Sequence, residues 1–187
     1  MLHTNRLILR DFVLSDFAAV HEYASDPLVT RFTSFGPNTM DETRDFLARS
    51  IQASSAIPRQ IYTFGVVEQG SGHLIGSCGM EQCDLTGRHY MFGYCLHRHW
   101  WGRGFGKEVA AALVDFGFHR LQAHRLWAQV FLGNAASERI LEGLGFRREG
   151  LALQSLHVRN AWHDILTFGQ LRTEWKGGRI DSEAVAS

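Results

Sequence analysis

The sequence predicts one α/β domain with a mixed, mostly antiparallel central sheet and about four helices. Three observations carry that expectation. Strand-like and helix-like runs follow one another in the order β-α-α-β-β-β-α-β-α-β-β. The chain has 187 residues, 45% of them hydrophobic, which suffices for one buried core. No repeat, low-complexity segment or linker divides it, so the domain is expected over residues 1–175, with a polar, fraying tail at 176–187.

Each element has a local signature. Leu7-Ile8-Leu9-Arg10 with Phe12 reads as the first strand. Ser15 is placed to cap a helix carrying Phe17, Val20 and Tyr23, ended by Asp26-Pro27. Thr39-Met40-Asp41-Glu42 is a capping box opening a second helix with Phe46, Leu47 and Ile51. Residues 61–68 and 74–80 form a hairpin about the turn Gln69-Gly70-Ser71-Gly72, and 90–96 is the next strand. From Gly104, the positions Val109, Leu113, Phe116 and Leu121 mark the apolar face of a third helix. A strand at 126–131 precedes a helix at 134–144 that Gly145 stops. Strands at 146–153 and 163–171 complete the order.

Composition removes several function classes. Lys+Arg and Asp+Glu are both 19, so the basic excess of a general nucleic-acid binder is missing. No apolar run approaches the ~20 residues of a membrane span, and Met1-Leu2-His3-Thr4-Asn5-Arg6 does not read as a signal peptide. Cys78, Cys83 and Cys95 are odd in number and lack a CxxC spacing. They suit reduced thiols in the cytoplasm, and no metal site is expected.

The stretch that carries chemistry is Trp100-Trp101-Gly102-Arg103-Gly104-Phe105-Gly106-Lys107, between a strand and a helix. Three glycines in five positions let backbone N–H groups turn inward, and the helix start adds free amides and a positive dipole end. Taken alone, the cluster reads as a cradle for a phosphate or pyrophosphate or as a glycine-rich turn with no ligand. A P-loop is excluded, because Gly102 and Gly106 are one residue too close and Glu108 follows Lys107. The dinucleotide fingerprint is excluded as well, since Lys107 stands where its third glycine belongs.

Downstream, Asn134-Ala135-Ala136-Ser137 runs into Gly143-Leu144-Gly145-Phe146. With Gly93-Tyr94-Cys95-Leu96 and the glycine turn, this resembles the GNAT superfamily of acyl-CoA-dependent N-acetyltransferases, more narrowly its RimJ/RimL type. Thr4-Asn5-Arg6-Leu7-Ile8-Leu9-Arg10, Ser25-Asp26-Pro27, Leu74-Ile75-Gly76-Ser77-Cys78-Gly79 and Trp162-His163-Asp164-Ile165-Leu166 fit the same pattern, so the likeness covers residues 2–175.

The resemblance implies acetyl-CoA as donor and a primary amine, of a small molecule or a protein N-terminus, as acceptor. It implies direct transfer in a ternary complex, with none of the three cysteines as nucleophile. Trp101, Gly102, Arg103, Gly104, Phe105, Gly106 and Lys107 would hold the pyrophosphate. Backbone groups of Cys95, Leu96 and His97 would pair with the pantetheine arm and polarise the thioester. Asn134 would bond that arm as well as cap its helix, and Ser137 would protonate the leaving thiolate. A homodimer is also compatible with the type.

Two positions depart from the pattern. The tyrosine acid of many relatives is missing, Ile140-Leu141-Glu142 standing near its place. Met91 occupies the position where the group usually has a glutamate. A base must then come from Glu81, Asp84, His89, His97 or His163, with His97 nearest the expected thioester, or the amine must arrive neutral. An α-amine, with pKa about 7.7–8.0, meets that demand better than a lysine near about 10.4. Met91 equally supports a second reading, an acyl-CoA-binding module without turnover; a nucleotide-binding protein is a third. Acceptor contacts are expected from residues 30–38, 83–89 and the connection 155–162.

Overall fold

A computed structural model describes residues 1–86 and 88–177. The tail expected at 176–187 therefore falls mostly outside the described residues. Eight strands form one sheet: β1 (Leu2–His3), β2 (Leu7–Asp11), β3 (Ile61–Glu68), β4 (Leu74–Gln82), β5 (His89–Leu96), β6 (Arg125–Phe131), β7 (Arg147–Val158) and β8 (Ala161–Leu171). Their spatial order is β1-β2-β3-β4-β5-β6-β8-β7. Every neighbouring pair is antiparallel except β5 and β6.

Helices α1 (Phe17–Ala24) and α2 (Met40–Ser54) cover one face, and α3 (Phe105–Asp115) and α4 (Ala135–Gly143) the other. The sheet therefore has a core on each side. Beneath α1 and α2 lie Phe12, Val20, Tyr23, Leu47 and Cys95. Beneath α3 and α4 lie Phe92, Phe105, Val109, Leu113, Leu126, Leu141 and Phe146. Phe105, Val109, Ala112 and Leu113 recur at helical spacing and are all buried, which fixes the rotation of α3. Truncating the fully buried Leu113 to alanine would cost ~2–5 kcal/mol. Since α3 is the crossover between the two parallel strands, its seating decides where its N-terminus points.

The capping box of α2 forms as read: the Thr39 hydroxyl accepts from the Glu42 N–H at 3.2 Å, and the Glu42 carboxylate accepts from the Thr39 N–H at 2.7 Å. Four local expectations need correction. Ser15 does not cap α1; it lies within a 3-10 turn at Leu14–Asp16, where Asp16 accepts from the Val13 N–H at 2.9 Å and from both Arg10 terminal nitrogens. The third helix is not α-helical to Leu121; it widens into a π-turn at Phe116–Arg120, where a Cβ on Gly117 would meet Leu126 at 2.8 Å. A short strand, β1, precedes the first one read. Finally, 155–162 is no loose connection: Val158 pairs with Ala161 about a two-residue turn in which Arg159 and Asn160 take φ of 50° and 57°.

Candidate active site

The sheet opens at one place. The parallel pairing of β5 and β6 covers His89–Arg125, Tyr90–Leu126 and Met91–Trp127, and then stops. Beyond it, the β6-facing backbone edge of residues 92–96 is free of the ladder. A free strand edge inside a domain offers N–H and C=O groups that an extended ligand can use as a strand would.

The glycine turn closes the far end of this opening. Gly102 and Gly104 have φ of +72° and +82°, a region L side chains rarely enter. Gly104 is the N-cap of α3, and no side chain caps the helix there. The first amides of α3 are thus without an intrahelical partner and carry the positive end of the dipole. The turn is fastened from behind. The Trp101 indole N–H donates to the Leu96 carbonyl at 2.7 Å. Arg6 donates to the Arg103 carbonyl at 3.0 Å and lies 4.2 Å from the Phe105 ring centre. Arg103 stands over the Trp100 ring at 5.1 Å.

Glu108, in the first turn of α3, would oppose an anion if left bare. It accepts from the Thr4 hydroxyl at 2.6 Å and from the Arg6 backbone and guanidinium at 2.9 and 2.7 Å. Burial alone would raise its carboxyl; those bonds outweigh the burial and hold it below the usual range. Its charge is thereby returned to the N-terminal segment and away from the turn.

Two residues face the opening from α4 and β5. Asn134 caps α4, its side-chain oxygen accepting from the Ser137 N–H at 3.3 Å. Tyr94 points toward the α3 side, its ring 3.6 Å from where a Cβ on Gly106 would stand. Its buried hydroxyl sits beside Ser137 without a well-formed hydrogen bond, and burial raises it above an ordinary phenol.

On the opposite face a cavity of about 360 Å³ lies against the sheet. Alternation puts Ser77, Gly79 and Glu81 of β4 and Met91, Gly93 and Cys95 of β5 on that face, because Met80 and Phe92 enter the core under α3. The register pairs Ser77 with Cys95, Gly79 with Gly93 and Glu81 with Met91. A Cβ on Gly93 would meet nothing within 4 Å, so the floor is open there. Phe32, Thr33, Ser34 and Phe35 roof the cavity. Arg159, at the β7–β8 turn, holds that roof by donating to the carbonyls of Arg31, Thr33, Phe35 and Gly36 at 2.9–3.3 Å.

The site residues read from sequence divide accordingly. On the α3 and α4 side, Gly106 of the turn lies beside Tyr94, Tyr94 beside Ser137, and Ser137 donates its N–H to Asn134. Cys95 faces the other way, and burial pushes its thiol up to about 12. Cys78 is raised as well, so neither is a ready thiolate. His97 is only 8% exposed and fully engaged: its Nδ1 accepts from the His99 N–H at 3.2 Å, and its Nε2 lies 3.3 Å from a Glu22 carboxylate oxygen. Asp84 is tied into its own loop by Thr86 and the His89 and Arg88 N–H groups, which lower its carboxyl to about 2. Among the described residues no group of His, Cys, Asp and Glu is arranged to hold a metal, and no helix is long and apolar enough to cross a membrane.

The sheet thus splits between the parallel strands β5 and β6, and the turn at the mouth of the split ends on Gly104, the N-cap of α3, with no side chain capping the helix. Residues 6–147 match the acetyltransferase (GNAT) domain family, and the chain belongs to that family. It is 32% identical over 177 residues to an uncharacterized N-acetyltransferase, p20, of Bacillus licheniformis, covering 94% of this chain and 98% of that one. Its fold matches a GNAT-family acetyltransferase of Bacillus anthracis with a TM-score of 0.83 at 28% identity, over 92% of this chain and 99% of that one. It also matches the ribosomal L7/L12 alpha-N-protein acetyltransferase RimL in complex with coenzyme A, with a TM-score of 0.79 at 17% identity over 90% and 95% of the two chains. The protein is an acetyl-CoA-dependent N-acetyltransferase.

Sequence reasoning missed Tyr94, Arg159 and the Thr4–Arg6–Glu108 fastening. Alternation along β5 could have turned Tyr94 toward Ser137. The other contacts join residues about 100 or more positions apart and leave no local trace.

Proposed function

We propose that this enzyme belongs to the RimJ/RimL type and moves an acetyl group directly to a primary amine of low pKa, an α-amine of a peptide or a small molecule. The observation that carries this reading is the end of β5–β6 pairing at Met91–Trp127 beside an uncapped α3. An acetyl-CoA laid through the opening puts its pyrophosphate on the amides of residues 102–107 and its pantetheine arm along residues 95–97. Trp101 anchors the turn to Leu96, and the Arg103 and Lys107 charges add to the field. Asn134 bonds the arm, and Ser137, with Tyr94 behind it, supplies the proton the thiolate takes up. The thiol's ordinary pKa is about 8.5, so modest help suffices.

His97, with both ring nitrogens engaged, serves as a positioning residue for its own backbone rather than as a base. The amine enters from the opposite face, through the cavity floored by Gly93. The carboxylate-bearing, cation-free lining of that cavity suits an ammonium group. The exposed twelve-residue edge strand β7 is the surface through which a second copy would pair.

The test is CoA thiol release from acetyl-CoA with N-terminal peptides, amino acids, polyamines and aminoglycosides as acceptors. Amine-dependent release with a peptide or low-pKa amine supports the reading. No release with any acceptor, alongside a raised melting temperature with CoA, would instead make this chain a CoA-binding module.

A further inference from the structure

The geometry points to Glu81 as the catalytic base that Met91 does not provide, a role moved one strand sideways on the same face of the sheet; this rests on the acetyltransfer reading above. Glu81 and Met91 are direct partners in the β4–β5 register. Direct antiparallel partners point to the same side with Cβ atoms about 5 Å apart. A carboxylate on either strand can therefore serve nearly the same volume. Gly79 and Gly93 form the next pair on this face, about 7 Å along the strands, and have no side chains to fill the space between. A glutamate side chain, alone or through one water, spans that distance.

Glu81 is also unoccupied. It takes part in none of the ion pairs among the described residues, and its carboxylate has no hydrogen-bond partner there; only its backbone is bonded, in the sheet ladder and by the Cys83 thiol. It is exposed to the cavity mouth, so proton exchange with solvent is open. The groups facing the cavity from its other walls are poorer bases. From β3 come Ile61 and Thr63, and from β6 Gln129 and Phe131. Cys95 shares the cavity face, while Cys78 and Tyr94 border it from positions that turn toward α3, and burial pushes all three upward. His163 of β8 lies behind Phe131, ring centres 5.2 Å apart, with its Nε2 buried and without a partner. The remaining nearby charges are spent elsewhere, Asp84 in its loop and Arg59 on Asp11 at 2.6 Å.

The balance of the step is complete. An ammonium acceptor gives one proton to the Glu81 carboxylate and becomes a nucleophile. Its nitrogen bonds to the thioester carbon, the C–S bond breaks with its electron pair on sulfur, and the nitrogen loses a second proton through the same group. The thiolate takes one proton from the Ser137 side. The sum is amide, CoA thiol and one proton released to solvent.

The experiment compares wild type, Glu81→Gln, His163→Gln and the double variant Glu81→Gln/Met91→Glu, with the best acceptor from the panel, across pH 6 to 10. CoA-induced thermal stabilisation serves as the folding and donor-binding control. Glu81→Gln should keep that stabilisation and lose roughly 100-fold in kcat/KM at pH 7. The deficit should shrink as pH rises past the amine's pKa, where the acceptor arrives neutral. Met91→Glu should restore about tenfold or more, and His163→Gln should keep the wild-type profile. An unchanged rate in Glu81→Gln overturns the assignment. So does a loss that is equal at every pH and unrepaired by Met91→Glu, or a pH effect that follows His163. A wild type that releases no CoA overturns the acetyltransfer reading itself, and is told apart because failure of Glu81 alone leaves the wild type active.

Discussion

On the proposed reading, the two faces of this sheet meet their ligands in different ways. On the α3 side the proposed contacts come mostly from backbone, a glycine turn, the first amides of a helix and a strand edge released from its neighbour, with the side chains of Asn134 and Ser137 added. On the α1 side they come from side chains: Glu81 and Met91 on the sheet, Phe32 and Phe35 above it, and Arg159 fastening that roof. Backbone recognition tolerates sequence change, because amides are the same in every residue. Side-chain recognition does not. The proposed donor site therefore rests largely on the fold, and the proposed acceptor site on a handful of positions that can change without disturbing it.

Four substitutions on the donor face test that contrast. The largest effect is expected from Gly104→Asp. It places a carboxylate at the mouth of α3 and a Cβ at a φ of +82°. A like charge near the pyrophosphate costs ~3 kcal/mol at a surface-like dielectric, so CoA affinity measured by calorimetry should fall about 100-fold. Unchanged affinity would move the pyrophosphate elsewhere.

Ser137→Ala should be milder, lowering kcat about tenfold while leaving the KM for acetyl-CoA near its starting value. Equal changes in both would leave Ser137 a role in holding the arm only. Tyr94→Phe made together with it should add little, since the two hydroxyls act at one proton.

Glu108→Gln should cost about 1–2 kcal/mol of stability at neutral pH, through the weakened bonds from Thr4 and Arg6. The carboxyl is held below its unfolded value, so its contribution is fully present above an unfolded pKa of about 4.3. It is lost as pH falls through the lower folded value. The melting-temperature gap between wild type and Glu108→Gln should therefore close below about pH 4. A gap that persists there would show that the loss comes from packing.

The same asymmetry explains what could be read from sequence. Strand and helix order was legible because alternation and 3.6-residue spacing are local signals, and the mixed sheet followed from the element order. The glycine turn was legible because positive φ selects residue type. What escaped was set by register and distance. Pairing fixes that Glu81 stands opposite Met91, and no window of sequence contains both strands and their alignment. Residues 155–162 carried no hairpin signal because the positive φ there sits on Arg159 and Asn160 rather than on glycine. His97 was the nearest base along the chain, yet its contact with Glu22 arises only when α1 docks.

The central claim is that donor and amine occupy opposite faces together and that acetyl passes directly between them. Initial rates of CoA release, with acetyl-CoA and the acceptor both varied, test it most directly. The account predicts intersecting double-reciprocal lines, the pattern of a ternary complex. Parallel lines, with an acetylated enzyme trapped in the absence of acceptor, would contradict it.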